Sequence, residues 1–112
     1  PYTTLFRSLS IGVLTINLPG GEEKVYAVSS GFARVQDDQV VVLTQTAEEG
    51  GEIDLARAEV ARDKAREALR SLRDTTDVAR AEIALKRALA RIQAQEKRAR
   101  ISRGPSSTGG EI

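Results

Sequence analysis

A chain of 112 residues with 17 Lys and Arg against 16 Asp and Glu, a formal charge of +1 and no Cys, His, Met or Trp has room for one small domain, alone or with an appendage, around a modest core of Val, Leu, Ile and Ala. The missing Cys and His exclude disulfides, thiolate or imidazole metal sites and every nucleophile–histidine pair, which removes most enzyme readings, and the balanced charge gives no net-charge case for nucleic acid. After Ala79, however, eight basic residues stand against three acidic ones, so the C-terminal part is a cationic arm.

Pro1 to Ser8, PYTTLFRS, reads like the in-frame translation of a sequencing-library adapter, in which case the natural protein begins upstream. The alternative is an ordinary first strand, since Tyr2, Thr3, Thr4, Leu5 and Phe6 favour extended structure. Residues 9–47 read as β structure. Val13 to Leu18 is a strand, Pro19-Gly20-Gly21-Glu22-Glu23 a turn, and Lys24 to Val28 a second strand. Ser29-Ser30-Gly31 punctuates, with Gly31 read as turn geometry, Phe32 to Val35 is a short third strand, Asp37-Asp38 turns the chain, and Gln39 to Leu43 is a fourth. Short strands joined by tight polar turns imply an antiparallel meander, and four strands that need an opposing sheet are an incomplete sandwich. Residues 48–51, Glu48-Glu49-Gly50-Gly51, are expected to act as a hinge, because two glycines leave the backbone free and permit a mobile appendage.

Beyond the hinge the apolar period changes from two to 3.6. Residues 52–101 are expected to form a helical hairpin. Its seams are Ala58, Ala61, Ala65, Ala68 and Leu72 on the first helix and Val78, Ala81, Leu85, Ala88 and Ile92 on the second, with Asp74, Thr75 and Thr76 as cap candidates for the return. Alanine seams allow close approach but bury little area, so the hairpin is weakly held. Arg98-Ala99-Arg100 is expected to end the second helix and residues 102–112 to be a flexible tail. At ~100° per residue, Arg80, Arg87, Arg91 and Arg98 fall in one band about 40° wide with no acidic residue in it. It is either a solvated face or a binding stripe for an external anion, and arginine at all four positions favours bidentate contacts to carboxylate or phosphate. A nucleic-acid reading lacks aromatic stacking residues near this face.

The motif Ile53-Asp54-Leu55-Ala56-Arg57-Ala58, the run Arg80 to Ala88 (RAEIALKRA), and the segments Val28-Ser29-Ser30-Gly31-Phe32 and Val42 to Glu48 together resemble the epsilon subunit of bacterial F-type ATP synthase, from Leu9 to about Ile92. The resemblance implies an α+β fold, the C-terminal part of an antiparallel β-sandwich followed by a two-helix antiparallel hairpin. It implies a non-catalytic regulatory subunit of the central stalk whose helical arm reversibly inhibits ATP hydrolysis. The implied partners are the gamma subunit, the c-ring and the catalytic alpha and beta subunits, at the cytoplasmic face of the plasma membrane and attached to it only through the complex. No cofactor is required, but a regulatory ATP is implied, with contacts on Glu48, Ile53, Asp54, Arg57, Ala58, Arg87 and Arg91 and with Lys64 where the family pattern has arginine. Arg80, Arg87, Arg91 and Arg98 would meet acidic segments of the beta subunits. From the residues alone, Asp54 and Arg57 are equally a helix-dipole carboxylate with a local ion pair, and a free-standing helical-hairpin adaptor would explain the arm but not the β half.

Overall fold

Short extended runs, rich in Val, Ile and Thr in β2 and β5 and broken by polar or glycine turns, lay down six strands before the first helix among the described residues. The computed structural model of the chain describes residues 5–71 and 73–110, with side chains for residues 7–71 and 73–101. The strands are β1 (Leu5–Leu9), β2 (Gly12–Asn17), β3 (Glu23–Val28), β4 (Gly31–Gln36), β5 (Gln39–Thr44) and β6 (Ala47–Glu49). They form two antiparallel three-stranded sheets, ordered β1-β4-β5 and β2-β3-β6. Of the residues read as favouring a first strand, Leu5 and Phe6 lie in β1, while Tyr2, Thr3 and Thr4 lie outside the described part.

The hairpins come from local chemistry. Asp37 and Asp38, at φ 51° and 62°, supply the two left-handed residues of a tight β4–β5 turn, a conformation that short polar side chains tolerate. Between β2 and β3 the Leu18 N–H donates to Glu22 O at 2.7 Å. The chain is not one meander, however. β3 already has β2 and β6 as neighbours, so β4 is forced into the other sheet. The two crossovers are tied together: Ser29 N–H donates to Thr46 O at 3.1 Å, Thr46 N–H donates to the buried Ser29 Oγ at 2.8 Å, and Gln45 N–H donates to Ser30 O at 3.2 Å. Gly31 opens β4 and is not a turn residue. A Cβ there would collide with the Leu43 carbonyl of β5, so the glycine is set by close strand approach.

A 3-10 turn, Gly50–Glu52, leads to α1 (Leu55–Ser71) and then α2 (Thr75–Gly110). Both helices start on an aspartate cap. Asp54 Oδ1 accepts the Arg57 N–H at 3.2 Å, and Asp74 Oδ1 accepts the Thr76 N–H at 2.8 Å, which satisfies backbone donors that lack an intrahelical partner. The alanine seam holds: Ala58 and Ala65 of α1 are buried, as are Ala81, Ala88 and Ile92 of α2; Leu72 lies outside the described residues. The backbone of α2 runs past Arg100 to Gly110. The helix thus continues through the residues read as its end and as a flexible tail; residues 111–112 lie outside the described part.

The hinge reading fails in this state. Glu48 and Glu49 belong to β6, and Gly50 is buried in the 3-10 turn. A Cβ on Gly50 would stand 2.7 Å from the Ala94 carbonyl oxygen and 2.9 Å from Arg98 Cβ, so this glycine exists to let α2 approach and the joint is packed. The sheet β2-β3-β6 meets α2 through a core of Val25, Ala27, Ile53, Ala90, Ile92 and Ala94, with Ala58 adjoining. Ala90 and Ala94 lie roughly 180° around α2 from the α1 seam. The helix is therefore buried on two opposite sides over its middle turns.

Candidate functional site

The joint between sheet and hairpin encloses the residues that the sequence singles out. β6 brings Glu48, the 3-10 turn brings Glu52, the cap and first turns of α1 bring Asp54, Arg57 and Ala58, and α2 brings Arg91, around a cavity of ≈ 290 Å³ closed on one side by Ala61. Of the seven expected contacts, Glu48, Asp54, Arg57, Ala58 and Arg91 line this cavity. Ile53 does not. It is buried in the core at 8% exposure and anchors the loop beneath the cavity. Arg87 lines an adjoining recess of ≈ 20 Å³ with Ser29, Thr46, Glu48 and Arg91, so it lies one helical turn from the cavity and shares Glu48 with it. Lys64 does not line the cavity; it borders two neighbouring grooves that share Ala61 with it, one along α1 with Ala56, Arg57 and Val60 and one between the helices with Asp77, Arg80 and Ala81. Glu52 and Ala61 were not anticipated. Ala61 could have been found as the seam position one turn after Ala58; Glu52 carried no periodic signal.

Arg91 Nε donates to Glu48 Oε1 at 2.6 Å, with both side chains 42% exposed. This ion pair spans 43 positions of sequence and joins α2 to β6. The expected Asp54–Arg57 ion pair does not form: Asp54 spends an oxygen on the Arg57 backbone N–H, because a cap carboxylate is drawn to the free amides of the helix start. The Arg57 guanidinium has no hydrogen bond or ion pair among the described residues. The cavity thus holds one neutralised arginine, one available arginine, and the carboxylates of Glu52 and Asp54. Planar donors of this kind match carboxylate or phosphate oxygens.

The arginine stripe divides where the sheet begins. Arg80 and Arg87 are exposed, whereas Arg91 and Arg98 are half-buried; Arg98 lies over the 3-10 turn against Gly50 and Gly51. The stripe is therefore not available to an external anion along its whole length. Arg91 is already paired, because in its second half α2 passes between α1 and the sheet. Lys97 Nζ adds a tie to Thr15 Oγ1 of β2 at 2.6 Å.

Residues 3–50 match the family described as ATP synthase, Delta/Epsilon chain, beta-sandwich domain, and residues 52–96 match ATP synthase, Delta/Epsilon chain, long alpha-helix domain. The chain is 43% identical over 96 residues to the ATP synthase epsilon chain of Syntrophomonas wolfei, covering 86% of this chain and 70% of that one. With the ATP synthase epsilon chain of Staphylococcus saprophyticus it shares 46% identity over 86 residues, 77% of this chain and 63% of the relative. The chain belongs to the ATP synthase epsilon family. Its fold is similar to that of a chain in the cryo-EM structure of the Euglena gracilis mitochondrial ATP synthase, OSCP/F1/c-ring, with a TM-score of 0.64 and 33% identity over 77% of this chain and 52% of that one. The two family segments meet at residue 51, inside the 3-10 turn, so the cavity lies where the beta-sandwich and long alpha-helix segments join. The match in both halves bears out the α+β fold of partial sandwich and hairpin, and it takes away the reason for a free-standing hairpin adaptor.

Proposed function

We propose that this chain is a non-catalytic rotor part of a proton-translocating ATP synthase, with its sandwich half seated against the gamma subunit and the c-ring and its helical half serving as a reversible brake on ATP hydrolysis. Its location would be peripheral, at the cytoplasmic face of a bacterial plasma membrane through the complex alone; no helix among the described residues is long and apolar enough to cross a membrane. Folded down, the hairpin assembles the cavity of Glu48, Asp54, Arg57 and Arg91, and an ATP bound there would stabilise that state. Extended, the second helix would present Arg80, Arg87, Arg91 and Arg98 to acidic segments of the catalytic beta subunits.

The observation that supports this most is the origin of the cavity wall: it draws on β6, α1 and α2 at once, so a ligand that fills it is sensitive to whether the hairpin is docked. A ligand specific to the folded arm stabilises it by linkage, by about 2.7 kcal/mol at a hundredfold excess over its dissociation constant. Calorimetry and thermal melting with millimolar ATP test the sensor: a melting shift that Arg57→Ala reduces is expected, and no heat with no shift would remove ATP from the proposal. The brake is tested separately in the reconstituted complex. Truncation after Asp74 should raise hydrolysis without loss of assembly, since assembly belongs to the β half.

A further inference from the structure

Where the site arginines converge, the protein already supplies an anion. The Glu48 carboxylate borders both the main cavity and the recess that contains Arg87, and it takes the Nε–H of Arg91 at 2.6 Å. Arg87 has no ion-pair partner among the described residues, and Glu48 is the carboxylate that lines the same recess. The contact is half-exposed on both sides, and pairs of that kind are weak and readily exchanged. A guanidinium carries five donors, of which Glu48 engages one. An incoming phosphate would thus meet Arg91 partly occupied, with like charge beside it on Glu48, Glu52 and Asp54.

We propose that Glu48 is a built-in competitor of the ligand: its carboxylate occupies Arg91 in the empty site and must yield that arginine to the ligand's phosphates, so Glu48 sets the concentration at which the arm responds. This rests on the reading of the cavity as a nucleotide site, and it reverses the role that resemblance gives Glu48, from a contact that adds affinity to a charge that limits it. The exchange has a second consequence. In the empty protein the same pair ties α2 to β6, so neutralising Glu48 weakens docking of the free arm while it tightens ligand binding, and the ligand-induced change in the arm grows.

The test is titration of the whole chain and its Glu48→Gln and Glu48→Asp variants with ATP, ADP, AMP and adenosine. Glutamine keeps the shape and an acceptor for Arg91 but removes the charge. Glu48→Gln should bind ATP about three- to tenfold more tightly, the scale of one exchanged surface ion pair plus relief of repulsion. The gain should shrink from ATP to AMP and vanish for adenosine, and Glu48→Asp should stay near the parent. A purely structural role would not produce this dependence on phosphate number. If the parent binds ATP and Glu48→Gln binds it equally or more weakly, the competitor role is wrong and the nucleotide site stands. If the gain is the same for adenosine as for ATP, Glu48 acts on the cavity's shape and the proposal is overturned. If neither parent nor Glu48→Gln binds ATP, the nucleotide reading falls and this inference with it.

Discussion

The two halves of α2 carry the same alanine seam toward α1 but differ in everything else. From Thr75 to Arg87 the helix is covered on one side only, and its arginines are exposed; from Ala88 to Ile101 it is also packed against β3 and the 3-10 turn, with Ala94 fully buried. The first half is held by small side chains that lose little when separated. The second half adds the Arg91–Glu48 pair, the Lys97–Thr15 bond and the close approach at Gly50. α2 is therefore fixed to the sheet through its second half, and a weakly held hairpin describes only the first.

The largest effect should come from Gly50→Ala. The added methyl would stand 2.7 Å from a backbone oxygen of Ala94, which cannot rotate away, so α2 must lift from the sheet at a cost of about 2 kcal/mol. Thermal or denaturant unfolding checks this, with Gly51→Ala as the paired control: its nearest neighbour is Arg98 Nε at 3.6 Å, an ordinary contact, and stability should hold. Equal effects at the two glycines would mean that the approach at residue 50 is not what fixes α2.

A middle effect is expected at the cavity rim. Asp54→Ala removes the cap of α1 and should cost about 1 kcal/mol, while Asp54→Asn, which caps equally well, should restore stability; if asparagine is as costly as alanine, the carboxylate acts through charge and not as a cap. The smallest effect belongs to the exposed half. Replacing Arg80 and Arg87 with alanine together should change the stability of the free chain by less than ~0.5 kcal/mol, yet raise ATP hydrolysis of the assembled complex if those side chains meet acidic partners. A loss of stability as large as that of Gly50→Ala would erase the contrast between the halves.

Period and punctuation made much of this molecule readable. The strands at residues 12–17, 23–28, 31–36 and 39–44, both helices, the Asp74 cap and the alanine seam are local facts, set by side-chain alternation, turn residues and cap chemistry over a few positions. β6 was missed because three residues are too few to show a period. The motif from Ile53 to Ala58 located the site, but not the division of labour within it, in which Ile53 is core, Asp54 is a cap, and Lys64 lies outside.

What the sequence determined by itself is therefore the order and kind of the elements, the family, and the neighbourhood of the site. Only the tertiary structure decided how the strands read as one meander divide between the two sheets of the sandwich, that Gly50 is a contact and not a hinge, and that Arg91 is paired while Arg80 has no ion pair among the described residues. The reason is the same in each case. Arg80 and Arg91 share a helix face and are indistinguishable by periodicity, and what separates them is the approach of β6 from 43 residues away, a contact that no local pattern encodes.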